Sequence, residues 1–186
     1  MVINDYDGML PYNEAFYICS IIYAAEAAYV AYARYEGQCK AGRDHSAAAS
    51  AIHEALGHAA ALSRFFWPVR ANRLTKARGQ RLREAFQVSD ESPLQARGLR
   101  NALEHYDERL DEFLLGDCVG MILPEPLIGP VDLATDPVGK VFKLLDPDQG
   151  IFVILGEAFQ FEPIIAEVGR ILERAYELND AGSRLR

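Results

Sequence analysis

The residues of this chain best suited to chemistry lie in one hexapeptide, Arg100-Asn101-Ala102-Leu103-Glu104-His105. A histidine with a near-neutral pKa can move protons at physiological pH, and a fixed guanidinium can stabilise negative charge growing on a phosphate. Asn101 stands beside the arginine as a polar orienting group. On one straight helix Arg100 and His105 diverge by about 140°. Any site that uses both must therefore be completed from a second surface, for example across a two-fold dimer. Glu104, four residues after Arg100, offers the competing arrangement, an ion pair that neutralises the arginine.

Other constellations carry less. His53-Glu54-Ala55-Leu56-Gly57-His58 looks like a zinc-protease motif but has its histidines five apart, on different helix faces; zinc ligation needs them four apart. Glu104, Asp107, Glu108, Asp111 and Glu112 lack the Glu-x-x-His pairs of a di-metal bundle, so they read as a solvated acidic face. Gly-rich phosphate loops and Gly-x-Ser-x-Gly are absent. No metal and no cofactor is expected.

The charge is unevenly spread. The net charge is −8, yet Arg64–Arg100 holds nine basic residues against three acids, a local +6 that leaves −14 elsewhere. Arginine supplies 15 of the 19 basic residues, and its planar fork suits phosphate oxygens. Arg73, Arg78, Arg81, Arg83 and Arg97 are the candidate RNA-guiding residues, with Phe65, Phe66 and Trp67 beside them. The alternative is that these aromatics are core and the arginines pair with acidic helices.

These groups need a frame. Apolar residues recurring every three to four positions, with caps and stops, predict helices over about 12–35, 44–66, 72–86, 92–116 and 163–178. The first places Phe16, Ile18, Ile22, Tyr23, Ala27, Val30 and Ala31 on its apolar side. Its core, Phe16–Ala33, is apolar enough to raise a membrane span, but Glu26 and several tyrosines favour a bundle helix. Asp44 is a candidate cap for the second. The fourth, Ser92–Gly116, is expected to be continuous and carries the hexapeptide. Ser92 and Gln95 form a candidate capping box, and Gly116 a left-handed stop. Residues 1–11 read as an irregular lead-in and 37–43 as a polar connection. Prolines 124, 126, 130 and 137 make 117–139 loop or edge structure, and Lys140–Leu145 and Ile151–Leu155 read as strands around the turn Asp146–Gly150. The expected fold is mainly α. It is one domain over 1–186, an up-down bundle of four main helices plus a short basic helix. A small β-hairpin or meander, within about 117–162, is inserted before the last helix. Cys19, Cys39 and Cys118 form no C-x-x-C pair, and the acidic first residues lack a signal-peptide pattern, so a cytoplasmic setting with reduced thiols is expected.

The pattern Arg100-Asn101-x-x-x-His105 on a capped helix of a small bundle resembles the HEPN superfamily. Its catalytic members carry Arg, a polar residue that is often Asn, and a His four to six residues after the Arg. The resemblance covers roughly 12–115 and 163–178. The segment Phe65-Phe66-Trp67-Pro68, with Arg100–Arg109, is also similar to a group of bacterial proteins without assigned function. The resemblance implies a metal-independent endoribonuclease of toxin or defence type. In it Arg100 would stabilise the phosphate, His105 move the proton and Asn101 take the polar position, at the cleft of a homodimer. RNA and an antitoxin-type protein are the implied partners, and no membrane is. The alternative is a non-catalytic module of the same fold that binds RNA, a nucleotide or a protein.

Overall fold

The computed structural model describes residues 2–41, 45–70, 72–116, 121–135 and 139–185. After a short helix α1 (Val2–Tyr6), the chain forms two long helices, α2 (Glu14–Ala41) and α3 (His45–Phe66). Small residues bring them together. Ala25, Ala28 and Ala31 of α2 and Ala48, Ala55 and Ala59 of α3 are fully or almost fully buried, so the two backbones approach closely. Tyr17 near the start of α2 meets Phe65 near the end of α3, and Arg34 meets Glu54, so the pair is antiparallel. The last helix, α8 (Glu162–Asp180), lies along α2 in the opposite sense. Phe161 packs on Tyr32 and Tyr35, while Tyr176 hydrogen-bonds Glu26 further down. Ile18, Ile21, Ile52, Leu56, Val168 and Ile171 form the shared core.

A mainly helical fold with a small sheet matches the expectation, but several details differ. Val2–Tyr6 is helical, not irregular, and the first long helix continues through the polar connection to Ala41. Its core face is Ile18, Ile21, Ala25, Ala28, Ala31 and Tyr35; Phe16, Tyr23 and Val30 are exposed. The candidate cap Asp44 lies outside the described residues.

Helix α4 (Arg73–Phe86) is short and basic, as its sequence predicts. Asn72 caps it by accepting from Thr75 N at 2.9 Å, and Gln87 ends it at φ 54°. Its last carbonyls are taken by α8: Arg170 Nη1 donates to Phe86 O at 3.0 Å and Arg174 Nε to Ala85 O at 3.1 Å.

The stretch Ser92–Gly116 is not one helix. It comprises a 3₁₀ turn (Pro93–Gln95), α5 (Arg97–Glu104) and α6 (Tyr106–Leu115), with the break at His105 (φ −110°, ψ 39°). The two halves have different partners. Leu99 and Ala102 of α5 are buried in the bundle, whereas Tyr106 of α6 packs edge-on against Phe142 of the sheet region at 5.7 Å. One straight rod cannot serve both surfaces. Ser92 does cap, with its Oγ accepting from Leu94 N at 3.4 Å, and it also donates to Glu167 of α8. Gly116 is extended (φ −66°, ψ 155°), not left-handed; Lys140 Nζ donates to the carbonyls of Phe113 and Gly116 and closes the helix instead.

The inserted segment is a mixed sheet, richer than a hairpin. Strands β2 (Leu127–Ile128), β4 (Lys143–Asp146), β5 (Ile151–Ile154) and β6 (Glu157–Gln160) stand in that order. The β2–β4 pair is parallel and the others antiparallel, with Leu145 opposite Phe152. A second parallel pair joins β1 (Met121–Leu123) to β3 (Gly139–Val141). A one-turn helix, α7 (Asp132–Thr135), lies in the crossover. Alternation sends Leu145, Phe152 and Ile154 into the bundle core, and Val141, Leu144, Ile151 and Val153 into a second small core under Leu127 and Val131. Buried Asp146 fixes the β4–β5 turn by accepting from the backbone N–H groups of Val131, Asp148 and Gln149 at 2.8–3.1 Å.

Candidate functional site

Helix α5 turns Arg100 inward. The residue is only 8% exposed and lies with Ala59, Ala60 and Ser63 of α3, Leu94 and Leu99, and Ile164 of α8. The void left among these residues is about 10 Å³. That is at the lower limit for a single water, so a phosphate has no room there. His105 is the reverse: its side chain is 56% exposed at the α5–α6 break, with Nδ1 3.4 Å from Glu108 Oε2. Asn101 is also exposed, and its carbonyl accepts from His105 N at 3.1 Å. The structure thus keeps Arg100 and His105 in separate environments within one chain, Arg100 inside α5 and His105 at the break after it.

Glu104 pairs with Arg64 of α3. That ion pair ties α5 to α3. Arg109 performs the same service for α6, meeting Glu157 of β6 at 2.8 Å; that hydrogen bond raises the Arg109 pKa.

The basic stripe is largely taken up by the fold. Arg78 reaches Arg64 O at 3.4 Å and lies 5.5 Å from the Tyr17 ring centre. Arg81 meets buried Glu14 at 2.5 Å and Asp7 at 3.5 Å. Arg83 donates to Phe66 O at 2.7 Å, approaches Asp90 at 3.5 Å and lies over Trp67 at 5.8 Å. These three arginines anchor α4 to α1, α2 and the end of α3. Arg73 is exposed at the start of α4. Arg97 begins α5, and its side chain lies outside the described residues.

A different surface stands open. Phe16 and Tyr23 of α2 are 72% and 76% exposed. They border a recess of about 590 Å³ between α2 and α3, together with Cys19, His58, Ala61 and Phe65. Tyr12 and Val30 extend this apolar stripe along α2. Among the described residues α2 is also the one helix long and apolar enough to cross a bilayer, and its opposite face is built into the bundle core. The sequence signal for this surface was present but assigned to the core: the apolar positions on α2 exceed what one buried face can hold.

No protein-family model matches the chain, and comparison with curated proteins and with solved structures gives no match.

Proposed function

We propose that this protein is a non-catalytic HEPN-like helical module that acts by association, as a homodimer joined along the exposed face of α2. The observation that carries this reading is the burial of Arg100 beside a void too small for a phosphate, with His105 exposed elsewhere. In this arrangement the arginine of the hexapeptide serves packing between α3, α5 and α8. The basic residues Arg78, Arg81 and Arg83 support the same view, since their guanidinium groups already hold protein carbonyls and carboxylates.

The choice of a second copy as partner comes from the spacing on α2. Phe16, Cys19, Tyr23 and Val30 alternate by three and four residues with Ala27 between them, which is the repeat of a helix–helix seam. Two such faces related by a two-fold axis are self-complementary, and an aromatic ring from one copy can enter the recess of the other. Light scattering tests this reading. Wild-type protein is expected at twice the chain mass and Tyr23→Glu at the chain mass, with equal helicity by circular dichroism. A monomeric wild type contradicts it, and recovery only in detergent or lipid would assign the stripe to a membrane instead.

One observation favours the ribonuclease reading: Glu108 lies where it can orient the exposed His105 imidazole, as a proton-transfer histidine requires. Its test is RNA cleavage in EDTA. Cleavage abolished by His105→Ala would establish that reading; no cleavage, or cleavage equal in the variant, excludes it.

A further inference from the structure

The recess between α3 and β4 brings two nitrogen bases and two hydroxyls together. It has a volume of about 440 Å³ and is lined by Ser46, Ser50, His53, Glu54 and Lys143, with Pro126 at its edge. Ser46, Ser50 and His53 fall four and three residues apart on α3, so they share one helix face. Lys143 comes from β4 and faces them.

The cationic side of this recess lacks its counter-charge. Lys143 Nζ lies 5.1 Å from the Tyr106 ring centre and 5.4 Å from that of Phe142, and no carboxylate among the described residues pairs with it. His53 stands edge-on to Phe152 at 6.1 Å, and its buried Nδ1 has no hydrogen-bond partner among the described residues. Burial lowers the Lys143 pKa; burial and then the Lys143 charge lower that of His53. Both shifts have the sign expected of bases taken out of water. Glu54 does not fill that role, because Arg34 holds it at 2.6 Å and His58 Nε2 lies 3.8 Å away.

From this geometry we infer that the α3–β4 recess is a binding site for a phosphate group, held by Lys143 and His53 with the hydroxyls of Ser46 and Ser50. An oxyanion placed there accepts from the ammonium and the two hydroxyls and supplies the missing partner of the imidazole. The phosphate site is independent of the dimer proposed above, since the two recesses share no lining residue. It also draws on no residue of the Arg100–His105 hexapeptide.

Titration of the protein with inorganic phosphate, followed through the ring resonances of its four histidines, tests the site. At millimolar phosphate, His53 is expected to shift saturably while His45, His58 and His105 do not. Acetate at matched ionic strength is expected to produce no saturable shift. Lys143→Met should weaken binding by at least about tenfold, the loss of one charge-assisted hydrogen bond. Ser50→Ala, an exposed substitution that leaves the core intact, should weaken it by a smaller factor. Absence of a saturable His53 shift, equal shifts at all four histidines, or equal binding of acetate would overturn the phosphate site. So would undiminished binding in both variants.

Discussion

Arg100 and His105 show how far two residues of one motif can diverge in role. Arg100 is packed among small and aliphatic side chains of α3, α5 and α8, so truncating it opens a cavity. Arg100→Ala is expected to cost about 2 kcal/mol or more in urea unfolding, whereas exposed His105→Ala should cost less than about 0.5 kcal/mol. Comparable small losses for both would remove the structural role assigned to the arginine. Its burial was not legible in the sequence, because an arginine on a helix ordinarily faces water. Nor was the partner of Glu104: the nearest cation in sequence is four residues away, but the one it meets, Arg64, is forty residues away. His53 supplies a second expectation at this scale. Its native pKa lies below the ordinary 6.5, through burial first and the Lys143 charge second. The unfolded chain therefore binds the proton more readily. The contribution of His53 is fully present above pH 6.5 and is lost as pH falls through that value toward the folded pKa. Urea midpoints measured on either side of pH 6.5 should drop on the acid side, and His53→Gln should flatten the drop. The carboxylates held low, Glu54 and Glu167, act in the same direction only near their ordinary 4.5 and below.

At the scale of elements, the hydrophobic pattern located α3 and α8 well, since each has a long periodic apolar face; it placed α2 but not its end or its core face, and α4 was marked by its charge and stops. It failed at Ser92–Gly116 because Leu99, Leu103, Tyr106, Leu110 and Phe113 satisfy a single helix as readily as two. The turn at His105 goes with contacts the pattern does not show, Tyr106 on Phe142 and Arg109 on Glu157. The parallel pairing of β2 with β4 was hidden for a related reason: a two-residue strand has no period to read. Helix α6 contains no buried residue among those described and meets the rest of the chain through Arg109, Tyr106, Phe113 and the Lys140 side chain. Its amides are expected to exchange with deuterium well before those of α2 and α3, and equal protection would show a packing surface that covers it. In the sheet, Asp146 holds three backbone N–H groups. Asp146→Ala is expected to destabilise by about 2 kcal/mol in urea unfolding, the scale of losing hydrogen bonds to a buried charge. Near-neutral stability in that variant would mean the β4–β5 turn forms without its side chain.

At the scale of the whole molecule, the bundle uses its basic residues inward and leaves an apolar face outward. Arg81 and Arg83 of the +6 stretch join α4 to the chain's beginning and to α3, and Arg170 and Arg174 of α8 hold its last carbonyls, so these basic residues serve internal joints. Meanwhile Phe16, Tyr23 and Val30 remain on the surface of α2, where an isolated chain gains nothing from them. The most direct measurement is the molar mass of the wild-type protein and of Tyr23→Glu by light scattering in aqueous buffer. A dimeric wild type with a monomeric, fully helical variant is the expected result. A wild type at the mass of one chain would contradict association through α2.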